Sequence, residues 1–266
     1  MRAAHLALDT AGHGEAVRSF WGAPRIADRP GLKAVDLFRA VEEGKVKAVW
    51  IMATNPVVSM PDADQVRRAL AACELVVVSD VVANTDVAPY AHVLLPALAW
   101  GEKDGTVTNS ERRISRQRAF LPAPGEARAD WQALCDVARR MGFAGFDYDG
   151  AHAIFDEHAR LSTWKNGEEG YRPAFRLDPL VGMDRAAYAA LQPVRWPLRA
   201  PAEGTARLFG DGRFSHPDGK ARFVATTPRA PVHAPGGEYP LALNTGRLRD
   251  QWHTMTRTGL APKLAR

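Results

Sequence analysis

The 266-residue sequence is 46% hydrophobic and 24% charged, which supplies apolar material for one large or two ordinary globular domains. Its 35 Lys and Arg against 30 Asp and Glu leave a formal net charge of +5, a mild bias toward anionic ligands spread along the whole chain. The one dense basic run, RRISRQR at 112–118, has no RNA-binding aromatic motif or DNA-reading helix attached, no apolar run approaches the roughly 18 residues of a membrane span, and the N-terminus lacks a signal-peptide core, so the expectation is a soluble cytoplasmic protein that engages neither nucleic acid nor membrane.

In chain order, AVDLFRAVEE (34–43) places Val35, Leu37, Phe38 and Val41 at helical spacing, with Gly44 as the stop. Residues 47–52 form a short apolar run rich in β-formers that ends at Thr54-Asn55, which suits a buried strand. Asp62 or Asp64 can cap a second helix reaching Cys73, with Val66, Ala69 and Leu70 on one face. ELVVVSD (74–80) then reads as a second buried strand, and a third run, HVLLPA (92–97), follows a polar loop. Strand, helix, strand implies a parallel sheet with helical crossovers. In such sheets ligands lie beyond the carboxyl ends of the strands, which here carry Asn55 and the Ser79-Asp80 pair. Helix or turn capping is the plainer role for Asn55 or Asp80 taken singly. A carboxylate at the rim, which only accepts hydrogen bonds, also suits a ribose or the N–H edge of a guanine. No GxGxxG is present, which argues against ordinary NAD binding.

WGEKDGTVTNSERRISRQR follows, with Asp104-Gly105 as a turn signal ahead of a strand or hairpin. Lys103, Arg112 and Arg113 have the chemistry for a pyrophosphate, although a solvated face is the commoner role for such residues. Asp130 sits at the start of a helix that Gly142 closes. Residues 151–162 form a helix with Ile154, Phe155 and Leu161 inward. His152 and His158, six apart, do not share a face and read as packing or surface residues. Five prolines between 173 and 201 suggest a connection to another domain. Beyond it the texture is β, with turns at DG (211–212) and PDG (217–219). Cys73 and Cys135 form no CxxC cluster and read as two buried thiols, so no metal ligand is expected. LNTGRLRDQWHTMTRTG (243–259) packs arginines, threonines, an imidazole and an indole together, a mixture suited to a polar anionic ligand.

Taken in order, WIMATNP, VVVSD, LLPALAWGEKDGTVTNSERRIS, PGEARADW and NTGRLRDQWHTMTRTG resemble the later part of the molybdopterin oxidoreductases of the dimethyl-sulfoxide-reductase family, on their assimilatory nitrate reductase side, from about Phe20 to Gly259. The resemblance implies an α/β fold: a Rossmann-like parallel sheet domain that binds molybdopterin over 1–145, a helical or irregular connection over 146–200, and over 201–266 the truncated start of a C-terminal β-barrel domain that binds the dinucleotide. It implies a bis-molybdopterin guanine dinucleotide touched by Asn55, Ser79, Asp80, Lys103, Asp130 and the run Thr245, Gly246, Arg247, Leu248, Arg249, Asp250, Gln251, Trp252, His253 and Thr254. It further implies reduction of nitrate to nitrite by two-electron oxygen-atom transfer. Electrons would come from a ferredoxin, a flavodoxin or an NADH-dependent reductase subunit through a 4Fe-4S cluster held in a missing N-terminal part. Arg247 or Arg257 could draw nitrate in, though phosphate contact or a surface ion pair is the plainer role for each.

The sequence departs from the family in three ways. Neither cysteine matches the cluster or molybdenum ligands, the chain stops before the barrel is complete, and His92 stands where relatives usually carry Asp. A fragment that is inactive alone is therefore expected. The other readings are a formate dehydrogenase of the same superfamily, or a non-catalytic molybdopterin-binding module.

Overall fold

The structure, a computed structural model, describes residues 3–8, 10–165, 174–199, 204–214, 216, 218–244, 246, 251 and 253–264. The chain divides into two compact units, Met1–Leu208 and Phe209–Arg266. The first begins with α1 (His13–Trp21), then α2 (Ala34–Glu42), β1 (Ala48–Met52), the single turn α3 (Pro56–Ser59), α4 (Ala63–Ala72), β2 (Leu75–Asp80) and β3 (Val93–Pro96). The three strands form a parallel sheet in the order β1-β2-β3, with Met52 opposite Ser79 and Asp80 opposite Pro96.

Local chemistry accounts for these boundaries. Gly44 takes φ +70, and the amides of Lys45 and Gly44 donate to Ala40 and Val41, the paired bonds with which a left-handed residue closes a helix. Phe38 and Val41 are buried as their spacing predicts, whereas Val35, in the first turn, is exposed and Ala40 takes an inward place. Asp62, not Asp64, caps α4 by accepting from the Gln65 amide at 2.9 Å. One sheet face, carrying Ile51, Val76 and Val78, packs with Val66, Ala69 and Leu70 of α4 and with Phe38 and Val41 of α2. His92 starts β3 by a backbone device: its amide donates to the Val76 carbonyl at 2.8 Å while its Nδ1 accepts from the Val76 amide at 2.9 Å.

A second, antiparallel sheet joins β4 (Gly105–Thr108), β5 (Arg113–Gln117) and β6 (Val194–Arg195) in that order. Asp104-Gly105 leads into β4, the strand expected to follow it, and the chain reverses at 109–112. Asn109 makes that turn by accepting at its Oδ1 from the amides of Glu111 and Arg113, and Arg112 takes φ +67. Arg112 is committed to backbone carbonyls, and Arg113 lies in a partly exposed surface ion pair, the commoner role expected of such residues. Arg112 donates to the carbonyls of Trp196, Thr205 and Ala206, and Arg113 pairs with Glu111 at 3.5 Å.

After α5 (Asp130–Arg140), closed by Gly142 at φ +84, come α6 (Ala151–Thr163) and α7 (Arg185–Ala190). They build a second core in which Phe155, Ala159, Leu161, Phe175, Leu177, Tyr188 and Leu198 pack with Ala16 and Val17 of α1. The Pro-punctuated stretch thus contributes buried mass as well as connection. In the second unit the expected turns appear, Gly212 at φ +73 and Gly219 at φ +70. No paired strand occurs among its described residues, and the β-barrel stays an expectation.

His158 lies against Phe175, ring centroids 5.0 Å apart, and burial lowers its pKa below the usual 6.5; His5, stacked on the same phenyl ring at 4.7 Å, is lowered for the same reason. The folded protein therefore prefers these imidazoles neutral. As pH falls below about 6.5 the unfolded chain takes up protons that the fold resists, and stability drops. Urea midpoints should fall from about pH 8 to about pH 5.5, and fall less in His158→Gln. Equal slopes in the two proteins would clear His158 of the effect.

Candidate functional site

Five of the sequence-derived candidates lie in the first unit at the carboxyl end of the parallel sheet. Ser79 and Asp80 close the central strand, with 2% and 9% of their surface exposed. To one side, the Ala53 amide donates to the Ser79 carbonyl at 2.9 Å and leads into Asn55, itself buried. To the other side, the Ala97 amide donates to the Asp80 carbonyl at 3.0 Å. Arg128 then runs beside β3 like a short fourth strand, its amide donating to Pro96 and its carbonyl accepting from Leu98. Asp130 follows two residues on, at the start of α5. With neighbouring strands about 4.8 Å apart, the rim from Asp80 to the Arg128 segment spans on the order of 10 Å. Parallel pairing thus gathers residues that are up to 75 positions apart in sequence.

Each side chain on this rim is held differently. Ser79 Oγ accepts from the Trp50 indole N–H at 2.8 Å, an interaction between strands 29 residues apart. The Asp80 carboxylate accepts from the Val81 amide at 2.7 Å. Asn55 occupies the residue before α3 but does not cap it; its Nδ2 donates to Asp86 Oδ2 at 2.9 Å instead. Likewise Asp130 caps nothing, since the free amide at Ala129 is taken by Gln132 Oε1 at 3.1 Å. Lys103 Nζ stands 3.7 Å from Asp130 Oδ2, both about one-third exposed, while Asp130 Oδ1 is buried with no hydrogen-bond partner among the described residues. A buried carboxylate oxygen left without a donor is costly, so this one is suited to an N–H or O–H brought by a ligand. Trp50 and Asp86 were missed by sequence reasoning, because neither lies at a strand end and their partners are distant in the chain.

Next to Lys103 opens a cleft of about 350 Å³ lined by Glu102, Arg116, Trp131, His152, Arg185 and Tyr188, among others. Its charges are internally matched. Arg116, with its side chain 4% exposed, pairs with Asp104 at 2.5 Å and lies over the Tyr188 ring at 3.9 Å, and Arg185 pairs with Asp149 at 3.0 Å. Such a cleft offers shape and stacking more than net charge.

Of the run 245–254, Thr245, Arg247, Leu248, Arg249, Asp250 and Trp252 lie outside the described residues. Within the second unit Gln251 accepts from Thr258 Oγ1 at 2.5 Å and donates to the Leu264 carbonyl, and His253 takes φ +47. The Gly246 Cα faces open space. Arg257 is exposed. Among the described residues no group of three or more His, Cys, Asp or Glu is arranged to hold a metal ion, both cysteines are buried and free, and no helix is long and apolar enough to cross a membrane.

Comparison with known proteins bears on what this rim is. The family model of the molybdopterin oxidoreductases matches residues 5–140. A nitrate reductase of Klebsiella oxytoca is 54% identical over 247 residues, covering 92% of this chain and 28% of that protein. The F420-dependent formate dehydrogenase 1 subunit alpha of Methanococcus maripaludis is 31% identical, covering 88% of this chain and 32% of its own. This chain therefore spans about a quarter to a third of these relatives. Among solved structures, acetylene hydratase from Pelobacter acetylenicus superposes with a TM-score of 0.50 at 20% identity, over 70% of this chain and 23% of that one, a likeness of fold. The matched 5–140 takes in the whole parallel sheet and its rim, and the chain belongs to the molybdopterin oxidoreductase family.

Proposed function

We propose that this chain is the part of a molybdenum-dependent, assimilatory-type nitrate reductase that cradles bis-molybdopterin guanine dinucleotide. The observation that carries the reading is the 54% identity to a nitrate reductase over 247 residues, 92% of this chain. The side chains on that rim fit the guanylated end of such a cofactor. Asp80 and Asp130 are acceptors for guanine N–H or ribose hydroxyl groups, and Asp130 Oδ1 has no hydrogen-bond partner among the described residues. Lys103 offsets the charge of that carboxylate and can move toward a phosphate. Ser79 keeps a hydroxyl proton to donate while the Trp50 indole holds its oxygen in place. Asn55 adds an amide. The segment Thr245, Gly246, Arg247, Leu248, Arg249, Asp250, Gln251, Trp252, His253 and Thr254 supplies hydroxyl, guanidinium and aromatic groups for the pyrophosphates and pterins.

When bound, the cofactor's molybdenum supplies the two-electron oxygen-atom exchange that converts nitrate to nitrite. The protein's share in these residues is to bind, orient and neutralise charge, and no group in the described rim is asked to carry a proton. In this reading the metal's protein ligand and a 4Fe-4S cluster belong to other parts of the longer protein. The enzyme is cytoplasmic and takes electrons from a ferredoxin, a flavodoxin or an NADH-dependent subunit. A formate dehydrogenase is the second reading, favoured by the 31% identity to such a subunit.

The test uses the full-length protein. Molybdenum and guanine nucleotide should co-purify with it, and nitrate should oxidise a reduced viologen dye while formate fails to reduce the oxidised dye. The opposite pair of dye results would assign it to formate. Absence of molybdenum and pterin after expression in a cofactor-competent host would remove the cofactor reading altogether.

A further inference from the structure

A side chain outside the rim is hydrogen-bonded to one of the rim's polar groups. Asp86 lies on the loop between β2 and β3, exposed itself but set between Thr85 and Val87, 5% and 0% exposed. The loop is pinned by Ala88 and Tyr90 amides donating to the Thr85 and Val87 carbonyls at 3.0 and 3.1 Å, and Val87 belongs to the core under the sheet. Its carboxylate reaches across to the β1 loop and accepts from Asn55 Nδ2 at 2.9 Å. Asn55 cannot shift to meet it, because its carbonyl accepts from Val58 and Ser59 at the start of α3.

We propose that Asp86 is a positioning residue for the cofactor site: it locks the Asn55 amide in one of its two orientations and so fixes which face of the rim offers an acceptor. The reasoning is chemical. The two orientations of an Asn amide have nearly the same shape and differ by exchange of a donor for an acceptor. A carboxylate accepts and never donates, so the NH2 must turn toward Asp86 and Oδ1 away from it. Without Asp86 the amide can rotate by half a turn and present the wrong group to a bound nucleotide or pterin. The inference rests on the proposed cofactor role of Asn55.

The experiment is a double-mutant cycle in the full-length oxidoreductase, read as molybdenum and guanine nucleotide retained per polypeptide after dialysis, with the Tm of cofactor-free protein alongside. Asp86→Ala should retain cofactor about tenfold less tightly, the effect of one hydrogen bond, with the KM for nitrate unchanged. Asp86→Asn, whose own carbonyl can accept from Asn55, should recover retention to within about threefold. In an Asn55→Ala background, Asp86→Ala should add less than about twofold. If Asp86→Ala lowers the Tm of cofactor-free protein, Asp86→Glu, which keeps the charge and displaces the oxygens by one methylene, takes its place. Equal losses from Asp86→Ala with and without Asn55 would overturn the inference, as would weakened retention in Asn55→Ala alone with none in Asp86→Ala. Full retention by Asn55→Ala would strike at the role of Asn55 in the rim, and the inference would go with it.

Discussion

Replacing Asp80 by Ala in the full-length oxidoreductase is expected to weaken cofactor retention roughly 10- to 100-fold, the worth of a hydrogen bond to a charged group. The residue ends the central strand of a three-stranded sheet, so its backbone is fixed from both sides: its carbonyl is held by Ala97, and Ser79 before it by Ala53. The carboxylate needs no search to find its ligand, and its removal leaves the ladder bonds in place. Asp80→Asn should lose almost as much, because it puts a donor where a guanine or ribose presents donors. Ser79→Ala should lose less, since the hydroxyl already has the Trp50 indole as one partner. Molybdenum per polypeptide after gel filtration, with far-UV circular dichroism as the control for folding, gives the answer. Wild-type metal content in both Asp80 variants would remove the guanine-end reading of the rim.

The parallel sheet was legible because its evidence is local. β1 and β2 are continuous apolar runs between polar stops, and their intervening helix has a side-chain cap and one apolar face. Once strands are parallel, their carboxyl ends share a rim, and so Asn55, Ser79 and Asp80 could be grouped before any contact was visible, while Asp130 joined them only through the family resemblance. What escaped the sequence depends on distant partners. Asn109 makes the hairpin turn with its own side chain, and nothing in the string marks it as the place of reversal. Arg112 looks like a free phosphate donor until carbonyls 84 to 94 residues away claim it. Asp86 reaches Asn55 over 31 residues, and Trp50 reaches Ser79 over 29. His92 completes a backbone ladder through its ring nitrogen, a role that only the fold reveals. For the tail the reason differs. Its signal is composition and motif order, which point to a ligand class and not to particular atoms.

The second large effect concerns the stretch that proline spacing makes look like a connector. Leu177 is fully buried, and its backbone is stitched on both sides: its amide donates to Ser162 Oγ at 3.0 Å, while its neighbours Arg176 and Asp178 exchange hydrogen bonds with Leu198 at 2.8 and 3.3 Å. Ser162, also buried, donates in turn to the Ala159 carbonyl at 2.7 Å, so the polar atoms that cross this core are satisfied. With surroundings this constrained, Leu177→Ala should leave a cavity that relaxes poorly, costing about 2–5 kcal/mol. Against a domain stability of roughly 5–15 kcal/mol that is a large fraction, and it should appear as a clear drop in urea midpoint with the slope unchanged. Val181→Ala, four residues along and 40% exposed, should stay within about 0.5 kcal/mol of wild type. The contrast follows from packing, because a bare linker would tolerate both changes alike. If both midpoints stay at the wild-type value, α1, α6 and Leu177 do not share one cooperative core, and 146–200 is a tether after all.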